Sequence, residues 1–305
     1  MPDRLLVTVD GQELELSNLD KVLYPAYGFT KGEVIDYYTR IAPVLLPHVE
    51  ARALTRIRFP NGVDTKGFFE KNAPAGTPKW VRTARLPAPG SSMDRGELDY
   101  IVVDKLPVLV WLANLAALEL HTPQWKVNQR NRPLAPDLMV VDLDPGPPAG
   151  LAECCEVALL MRDRLAEDGL TALPKTSGKK GMQLYCPIAA KQSAEDVSNY
   201  AKRIAAQLER EHPKLVVSRM AKQLRGGKVF IDWSQNSAAK TTVTPYSLRA
   251  QPVPSVSAPL TWDEVEAGQL RAEDFTAPVV LERVEEHGDL LAPLLEPGPK
   301  LPSVR

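Results

Sequence analysis

The stretch LMVVDLDPG, residues 138–146, decides how this chain folds. A short apolar run ends in two acids and is closed by Pro-Gly, which is typical of a buried strand followed by a turn. Side chains alternate along a strand, so Asp142 and Asp144 share one face with Val140, while Leu143 points to the other face. The pattern therefore predicts two neighbouring carboxylates at the end of a core strand.

Paired carboxylates at this position need a partner. Two of them held a few ångströms apart repel each other, and the low dielectric near a core raises the cost. A divalent cation between them removes that cost, and oxygen-only ligands suit Mg²⁺ or Mn²⁺. A strand end that frays into an Asp-rich turn would give the same letters, so the pair alone leaves both interpretations open.

A third acid lies further along the chain. Asp232 interrupts the apolar strand pattern KVFIDW, residues 228–233, where a lone acid must be paired or bound to metal. Three carboxylates on two strands match the needs of a two-metal site for phosphoryl or nucleotidyl transfer. A salt bridge to a nearby lysine is the alternative for Asp232.

Phosphate-binding chemistry lies between these acids. The segment TSGKKG, residues 176–181, offers two glycines, two hydroxyls and two lysines, although it lacks the spacing of a Walker loop. The stretch 234–249 adds many hydrogen-bond donors and two cations, Lys240 and Arg249, which makes phosphate contact plausible. Basic surface turns and ordinary polar loops look similar.

Along the rest of the chain, the hydrophobic periodicity predicts a mixture of helices and strands, with an approximate domain boundary near residue 130. Thr30 and Glu33 have the spacing of a capping box at the start of a helix. Residues 87–97 are rich in Pro, Gly and Ser and predict a mobile loop. The predicted elements are a hairpin at 4–16, helices at 30–46, 107–120, 149–168, 193–211, 262–268 and 278–295, and strands at 52–59, 182–188, 228–233 and, as a pair, within 80–103.

Composition narrows the class of protein. The chain has 305 residues, of which 44% are hydrophobic and 25% are charged, as in ordinary soluble domains. The three cysteines have neither disulfide-framework nor zinc-site spacing. We find no membrane span and no secretion signal in the letters, so we expect a cytoplasmic, nucleoid-associated protein without membrane contact.

The net charge of −1 alone argues against a nucleic-acid-binding protein, but the charges are unevenly distributed. Residues 171–249 carry fourteen Lys or Arg against five Asp or Glu, whereas residues 250–305 carry four against ten. A basic segment thus precedes an acidic tail, which favours a polyanionic partner. Basic residues spread over solvated faces would give the same counts.

Two aromatic features leave alternatives open. Phe68 and Phe69 follow a Pro-Asn-Gly turn, and in an extended segment they cannot both enter one core. One can stack on a nucleobase, or both can be partly buried. His121 follows the apolar helix predicted at 107–120, and a lone histidine is more often structural.

These motifs together resemble the polymerase domain of the bacterial end-joining ligase D, within the archaeo-eukaryotic primase superfamily. The likeness runs from about residue 10 to about residue 295. The quoted segments are DLDPG at 142–146, TSGKKG at 176–181, KVFIDWSQNSAAKTTVTPYSLR at 228–249, DKVLYP at 20–25, FPNGVDTKGFFEK at 59–71 and LELHTPQW at 118–125.

The resemblance implies an α+β fold in which an RRM-like catalytic sheet packs against an N-terminal α/β module. Residues 1–130 would form that module, with DNA-end and template contacts, and residues 131–305 the catalytic module with its acidic tail, as one compact unit. The implied activity is template-directed addition of NTPs or dNTPs to a primer 3′-hydroxyl at DNA gaps and broken ends, with two Mn²⁺ or Mg²⁺ ions. A separate DNA ligase and an end-binding protein are the expected protein partners.

The resemblance also implies roles for individual residues. The metal ligands would be Asp142, Asp144 and Asp232. The incoming triphosphate would be held by Ser177, Lys180, Gln183, His121, Lys240 and Arg249. Lys21 and Lys31 would bind the downstream 5′-phosphate, Phe68 and Phe69 would stack at the template turn, and Arg58 and Arg225 would lie along the DNA. The loop 87–97 corresponds to one expected to help two DNA ends meet.

Two positions depart from the family pattern. The family motif SGxKGxH ends in histidine, where this chain has Gln183, which cannot carry a positive charge; we expect weaker triphosphate binding or an altered nucleotide preference. Ile57 replaces a basic residue, which lowers the expected DNA affinity. No ligase or nuclease motif is present in these letters, so a stand-alone polymerase is expected. A non-catalytic end-binding protein, a metal-dependent phosphoesterase and a plain structural α/β protein are the alternatives.

Overall fold

Two mainly antiparallel sheets organise the chain, which the computed structural model describes over residues 4–88 and 96–302. The predicted loop 87–97 falls largely outside the described residues. The part predicted as the N-terminal module contains β1 (Arg4–Val9), β2 (Gln12–Ser17), β3 (Val22–Tyr24), β4 (Phe29–Thr30), α1 (Lys31–Val49), β5 (Ala53–Arg58), β6 (Phe68–Glu70), β7 (Thr83–Pro87), β8 (Glu97–Val102), α2 (Leu106–Asn114), β9 (Ala117–Thr122) and β10 (Trp125–Val127).

The part predicted as the catalytic module begins by pairing with the part predicted as the N-terminal module, because its first strand completes a hairpin with β10. It contains β11 (Pro133–Pro136), β12 (Leu138–Pro145), α3 (Leu151–Glu167), β13 (Leu173–Thr176), β14 (Met182–Pro187), α4 (Ala194–Glu211), β15 (Val216–Val217), β16 (Val229–Asp232), β17 (Thr242–Val243), α5 (Trp262–Ala267) and α6 (Ala277–His287).

The capping box predicted at the start of α1 is confirmed. The backbone N–H of Glu33 donates to Thr30 Oγ1 at 3.2 Å, and the backbone N–H of Thr30 donates to Glu33 Oε2 at 2.7 Å. These bonds satisfy backbone donors that the first helical turn leaves without partners. The apolar face of α1, including Tyr37 and Ile41, is buried in the main core.

The helix predicted at 107–120 was wrong in its second half. The helix α2 ends at Asn114, Ala116 takes a positive φ of 56°, and the chain continues as strand β9. Strand β9 lies inside the first sheet, whose order is β17-β9-β5-β8-β7, with β6 also paired to β5. Ala117, Leu118 and Leu120 of β9 extend the apolar run of α2, and a short apolar run does not by itself distinguish a buried strand from a buried helix.

The second sheet has the order β13-β14-β12-β16-β15. Chain order β12-α3-β13-β14-α4-β16 with β12 at the centre is the βαββαβ arrangement of RRM-like folds, so the α+β prediction with an RRM-like sheet is confirmed. Helices α3 and α4 bury Val157 and Ile204 in the main core with Leu143. The opposite face of the sheet carries Asp142 and Asp144, as the alternation predicts.

The tail differs from its prediction. Helix α6 ends at His287 instead of continuing to residue 295, because Gly288 and Asp289 break it, and residues 292–295 form a separate 3₁₀ turn. No helix within residues 4–88 and 96–302 combines the length and hydropathy that a membrane crossing requires.

The two modules share backbone and side-chain contacts. Strand β17 leaves the catalytic module and pairs antiparallel with β9, placing Val243 opposite His121. Arg52 in the N-terminal module forms a buried two-pronged ion pair with Asp137, with N–O distances of 2.8 and 2.7 Å. The exact domain boundary stays a prediction.

Candidate active site

A row of four polar side chains crosses the catalytic sheet. In the strand register, Lys175 lies opposite Gln183, Gln183 opposite Asp142, and Asp142 opposite Asp232. Directly opposed residues of an antiparallel sheet point to the same face, so adjacent members of the row meet. The structure therefore brings two of the three predicted metal ligands together through β12 and β16, and Asp144 follows two residues later on the same face.

Asp142 is the centre of this row. Its Oδ1 accepts a hydrogen bond of 3.0 Å from Gln183 Nε2. Burial, and then the charges of Asp232 and Asp144, together raise the pKa of Asp142 to about 6, although the hydrogen bond from Gln183 lowers it. The carboxylate thus lies where a positive ligand would relieve both effects.

Asp232 is oriented by the turn that follows its strand. Its Oδ1 accepts from the backbone N–H of Ser234 at 3.0 Å, and its Oδ2 accepts from Gln235 Nε2 at 2.9 Å. Asn236 fixes this turn to β12, because its side chain donates to the carbonyl and accepts from the N–H of Val140. Lys240 lies 3.8 Å from the Asp232 carboxylate.

Asp144 is balanced by two cations. Lys180 Nζ lies 3.4 Å from its Oδ1, and Arg225 Nη1 lies 3.2 Å from its Oδ2. The Arg225 guanidinium also stacks 3.7 Å above the ring centre of Phe230. The structure thus places Arg225, predicted along the DNA, beside the predicted metal ligands.

The donor chemistry of this site suits a hard divalent cation. Three carboxylates share one face of the sheet, and their mutual repulsion is visible in the raised pKa of Asp142. Within the described residues, however, no three Asp, Glu, His or Cys side chains already converge as a metal cluster. The oxygens of Asp144 and Asp232 are turned instead toward Lys180, Arg225, Ser234 and Gln235.

The segment 176–181 forms a tight turn beside the carboxylates. Gly178 has a φ of +69°, and a Cβ there would lie 2.5 Å from Arg249 Cγ. At Gly181 a Cβ would lie 2.4 Å from the carbonyl oxygen of Leu143. Both glycines are required by close packing, which presses the turn onto β12 and onto Arg249. Arg249 donates to the carbonyl of Ser177 at 2.7 Å.

Glu119 is a functional residue that sequence reasoning missed. Its carboxyl is only 1% exposed, yet it pairs with two cations, Arg249 at 3.3 Å and Lys179 at 3.4 Å, and forms a hydrogen bond of 3.0 Å with His121. Burial alone would raise its pKa, but the His121 hydrogen bond and the neighbouring charges outweigh burial and hold the pKa well below its usual range. Burial also lowers the pKa of His121 despite the Glu119 contact. One buried anion thus contacts two of the predicted triphosphate ligands, His121 and Arg249.

These groups surround one open cavity of about 250 Å³. Its lining joins the predicted metal ligands to the predicted triphosphate ligands across the two modules. Among the predicted site residues, the lining contains His121, Asp142, Asp144, Ser177, Lys180, Gln183 and Arg249. A polar, cation-rich cavity next to carboxylates matches a nucleotide with its triphosphate and metal ions.

A second predicted cluster lies at the start of α1. Lys31 is the first residue of the helix and donates from Nζ to the carbonyl of Ser17 at 2.5 Å. Lys21 pairs through its backbone with Lys31 and donates from Nζ to Asn61 at 3.2 Å. Burial, and then the charge of Lys21, lower the pKa of Lys31 to about 8. Two lysines at a helix N-terminus suit an anion.

The predicted template residues lie on β6 and β5. Phe68 and Phe69 are 55% and 60% exposed, so neither ring is committed to the core. Arg58 pairs with Phe68 across the strands, and its guanidinium is held by Glu70 at 3.1 Å and by the Leu115 carbonyl at 2.7 Å. The two exposed rings are open to stacking.

Comparisons with known proteins agree with this geometry. Residues 30–291 match the family described as LigD, primase-polymerase domain. A multifunctional non-homologous end joining protein LigD from Mycolicibacterium smegmatis is 45% identical over 283 residues, covering 93% of this chain and 36% of that protein. The bifunctional LigD of Bacillus subtilis is 31% identical over 277 residues, covering 90% of this chain and 43% of that protein.

The fold has a solved counterpart. The polymerase domain from Mycobacterium tuberculosis ligase D in complex with DNA superposes with a TM-score of 0.89 at 43% identity, covering 94% of this chain and all of that one. This chain spans between about a third and less than half of the length of the curated relatives described above.

Proposed function

The chain belongs to the LigD primase-polymerase domain family, and on that premise we propose that it adds NTPs or dNTPs to a primer 3′-hydroxyl at gaps and broken ends of DNA. The reaction is a template-directed nucleotidyl transfer in non-homologous end joining. The observation that carries the proposal is that Asp142 and Asp144 line a cation-rich cavity on one face of the catalytic sheet and that Asp232 lies directly opposite Asp142 on the neighbouring strand.

Each side of the cavity has a distinct task. Asp142, Asp144 and Asp232 would hold two Mn²⁺ or Mg²⁺ ions, whose bound chemistry is to activate the primer hydroxyl and to neutralise the pyrophosphate charge. For this, Lys180 and Arg225 release Asp144, and both are then free for phosphate oxygens. Ser177, His121, Lys240 and Arg249 bind the triphosphate, and Gln183 lines the same cavity.

Cation placement supports in-line transfer. Arg249 is held by Glu119 and by the Ser177 carbonyl, so its guanidinium is oriented before a nucleotide arrives. Preorganised cations stabilise charge as it develops on the leaving group without reorganisation at the moment of reaction. The Lys240 ammonium donates to the Ser234 hydroxyl and lies 3.8 Å from the Asp232 carboxylate. It therefore lies between the proposed metal ligands and the proposed phosphate ligands.

The DNA contacts lie on the N-terminal module. Lys21 and Lys31 would bind the 5′-phosphate on the far side of a gap, and the exposed rings of Phe68 and Phe69 would stack on template bases. Arg58 supports this edge from β5 and Arg225 meets the primer side. A ligase activity would seal the product, and an end-binding protein would recruit the ends.

Extension of a labelled gapped duplex tests the proposal, with NTPs or dNTPs, Mn²⁺ and either a 5′-phosphate or a 5′-hydroxyl beyond the gap. Wild type should extend the primer and prefer the 5′-phosphate. Asp142→Ala should lose extension while its DNA affinity, which should fall as salt rises, stays nearly unchanged. Lys31→Met should extend but lose the phosphate preference.

Three outcomes would contradict the proposal. Extension by Asp142→Ala would remove the carboxylates from the chemistry. A wild type that binds 5′-phosphorylated ends tightly without extending them would favour a non-catalytic end-binding protein. Release of nucleotides from intact DNA in place of pyrophosphate release would indicate a phosphoesterase.

A further inference from the structure

Lys175, on β13, is fully buried, with 0% of its surface exposed. Its Nζ donates to Gln183 Oε1 at 2.7 Å and to Ser257 Oγ at 2.5 Å. Ser257 in turn donates its hydroxyl hydrogen to the Thr176 carbonyl at 2.8 Å, so it can only accept from Lys175. Burial, and then the charge of Arg249, lower the pKa of Lys175 well below its usual range, while Asp142 opposes that lowering. A buried lysine amine whose direct partners are a neutral amide and a neutral hydroxyl is costly to keep, and such an arrangement calls for a function.

The chemistry of Lys175 fixes the orientation of Gln183. Nζ can donate to the Gln183 oxygen whether or not it carries the third proton, and an ionised Asp142 can only accept, so the Gln183 amide turns its oxygen toward Lys175. Its NH₂ group then faces the other way and donates to Asp142 Oδ1 at 3.0 Å. The hydrogen bonds thus run in one direction along the row, from Lys175 through Gln183 to Asp142.

Lys175 reaches the site only through this row. Gln183 and Asp142 line the cavity beside β12, whereas Lys175 is not among the lining residues. A direct contact between Lys175 and a nucleotide in that cavity is therefore ruled out by its burial. The negative charge that opposes the lowering of the Lys175 pKa lies one residue further along the row, on Asp142.

We infer that Lys175 is a positioning residue, which acts through Gln183 to hold the Asp142 carboxylate in the orientation that binds a divalent cation. The inference rests on the proposed function, since it concerns the same carboxylates. In metal sites generally, groups that orient a ligand change metal affinity when they are removed, by roughly 10–100-fold. It also gives Gln183, the departure from the family motif, a partner within this chain.

Direct Mn²⁺ binding in the absence of nucleotide and DNA tests the inference, followed by the electron paramagnetic resonance signal of free Mn²⁺. Lys175→Met, which keeps the length of the side chain and removes its donors, should weaken Mn²⁺ binding about tenfold. Lys175→Gln, which still offers an N–H to Gln183 Oε1, should recover most of that loss. The control Lys191→Met makes the same chemical change on an exposed lysine and should bind as wild type.

A double-mutant cycle tests whether Lys175 acts through Gln183 or whether the two residues affect Mn²⁺ binding independently. Gln183→Leu should also weaken binding about tenfold, and Lys175→Met with Gln183→Leu should bind no more weakly than Gln183→Leu alone. Circular dichroism confirms folding of each variant. If Lys175→Met fails to fold, Gln183→Leu with Lys175→Gln carries the same comparison, because they break and preserve the row respectively.

Unchanged Mn²⁺ affinity in Lys175→Met, or in Gln183→Leu, overturns the inference, and so does an additive cycle. Primer extension is read separately, as a function of Mn²⁺ concentration. Lys175→Met should need about tenfold more Mn²⁺ for half-maximal extension, and its maximal rate should recover at saturation. A wild type that extends no primer, but loses Mn²⁺ binding through Lys175→Met, would contradict the proposed function and support the positioning role.

Discussion

At the scale of single residues, Asp142 stands in an electrostatic conflict. Burial, and then the charges of Asp232 and Asp144, raise the pKa of Asp142 to about 6 against the lowering effect of Gln183. An acid whose pKa is raised on folding destabilises the protein once it ionises, so the penalty grows between about pH 4 and pH 6 and persists above. Its full size is about 3 kcal/mol.

We therefore predict that Asp142→Asn stabilises the metal-free protein. The melting temperature should rise at pH 8, where the wild-type carboxyl is ionised, and change much less at pH 4, where it is protonated in both states. Asparagine keeps the oxygen that accepts from Gln183, so packing is matched. Thermal melts in chelator measure this, and Mn²⁺ should then stabilise only wild type. An equal shift at both pH values would disprove the conflict.

Ionisation of Glu119 has the opposite effect on stability, because the pKa of this carboxyl is lowered on folding. Its lowered pKa means that its ionised form stabilises the fold at all pH values above its usual range, and the contribution is lost only in strong acid. We expect Glu119→Gln to cost about 3 kcal/mol of stability, because Arg249 and Lys179 lose a buried anion. Nucleotide affinity should fall about tenfold or more, because these cations lose their orientation.

Titration with a fluorescent nucleotide and thermal melts at pH 5 and pH 7 measure both effects of Glu119→Gln. The stability loss should be the same at the two pH values. Glu266→Gln, which changes an exposed carboxylate that pairs with Arg162, is the control. Unaltered nucleotide affinity in Glu119→Gln would show that Arg249 is oriented without it.

Sequence patterns predicted some of the candidate site residues and missed others, and the difference has a physical reason. Asp142, Asp144 and Asp232 are recognisable because acids at the ends of apolar strands conflict with their surroundings locally. Glu119 and Lys175 give no such signal. Glu119 lies in the segment misread as a helix, and the partners of Lys175 are set by strand register. Both residues have contacts to residues that are distant in sequence. The Ala250 N–H, for example, donates to Glu119 across 131 positions of the chain.

At the scale of elements, the turn at 176–181 shows how backbone packing prepares the phosphate site. Gly178 combines a φ of +69° with a Cβ position 2.5 Å from Arg249 Cγ and 2.9 Å from the Val256 backbone. Gly169 has a similar φ of +74° but nothing within 4 Å of its Cβ position. A substitution at either glycine would strain the backbone, but only a substitution at Gly178 would also create a steric conflict. Comparing the two positions therefore distinguishes these two effects.

We predict that Gly169→Ala lowers stability by about 1 kcal/mol through strain and leaves nucleotide affinity unchanged. Gly178→Ala should lower stability further and weaken nucleotide binding severalfold, because the new methyl group displaces Arg249. Chemical denaturation and nucleotide titration of both variants check this. Equal nucleotide affinity in the two variants would mean that the turn adapts without moving Arg249.

Element boundaries were predictable where local chemistry sets them. The capping box at Thr30 and the hairpin around Asp10-Gly11 are short-range interactions, and both predictions are confirmed. The helix predicted to 120 failed because the apolar run of α2 continues through Ala117, Leu118 and Leu120 into β9, so no change of composition marks the end of the helix. Helix α6 was overextended because apolar residues after Gly288 pack as a 3₁₀ turn and keep an approximate helical spacing.

At the scale of the whole molecule, the segment 242–249 of the catalytic module is bound into the N-terminal module. Three buried tyrosines of that module bond to its backbone. Tyr24 donates to the Arg249 carbonyl at 3.1 Å, Tyr37 donates to the Tyr246 carbonyl at 2.7 Å, and Tyr38 accepts from the Leu248 N–H at 3.1 Å. Arg249, a proposed phosphate ligand, is therefore positioned by both modules, and the cavity that it lines also includes His121 of the N-terminal module.

This dependence predicts one cooperative unit. The full chain should unfold in a single thermal transition, because separating the modules would leave buried tyrosine hydroxyls and the edge of β9 without partners. Fragments 1–130 and 131–305 should each lack a cooperative melt, and mixing them should restore it in part. Circular dichroism and limited proteolysis of the fragments, alone and mixed, measure this. A cooperative melt of fragment 131–305 near the midpoint of the full chain would show instead that the RRM-like sheet folds alone and that the segment 242–249 docks onto the N-terminal module afterwards.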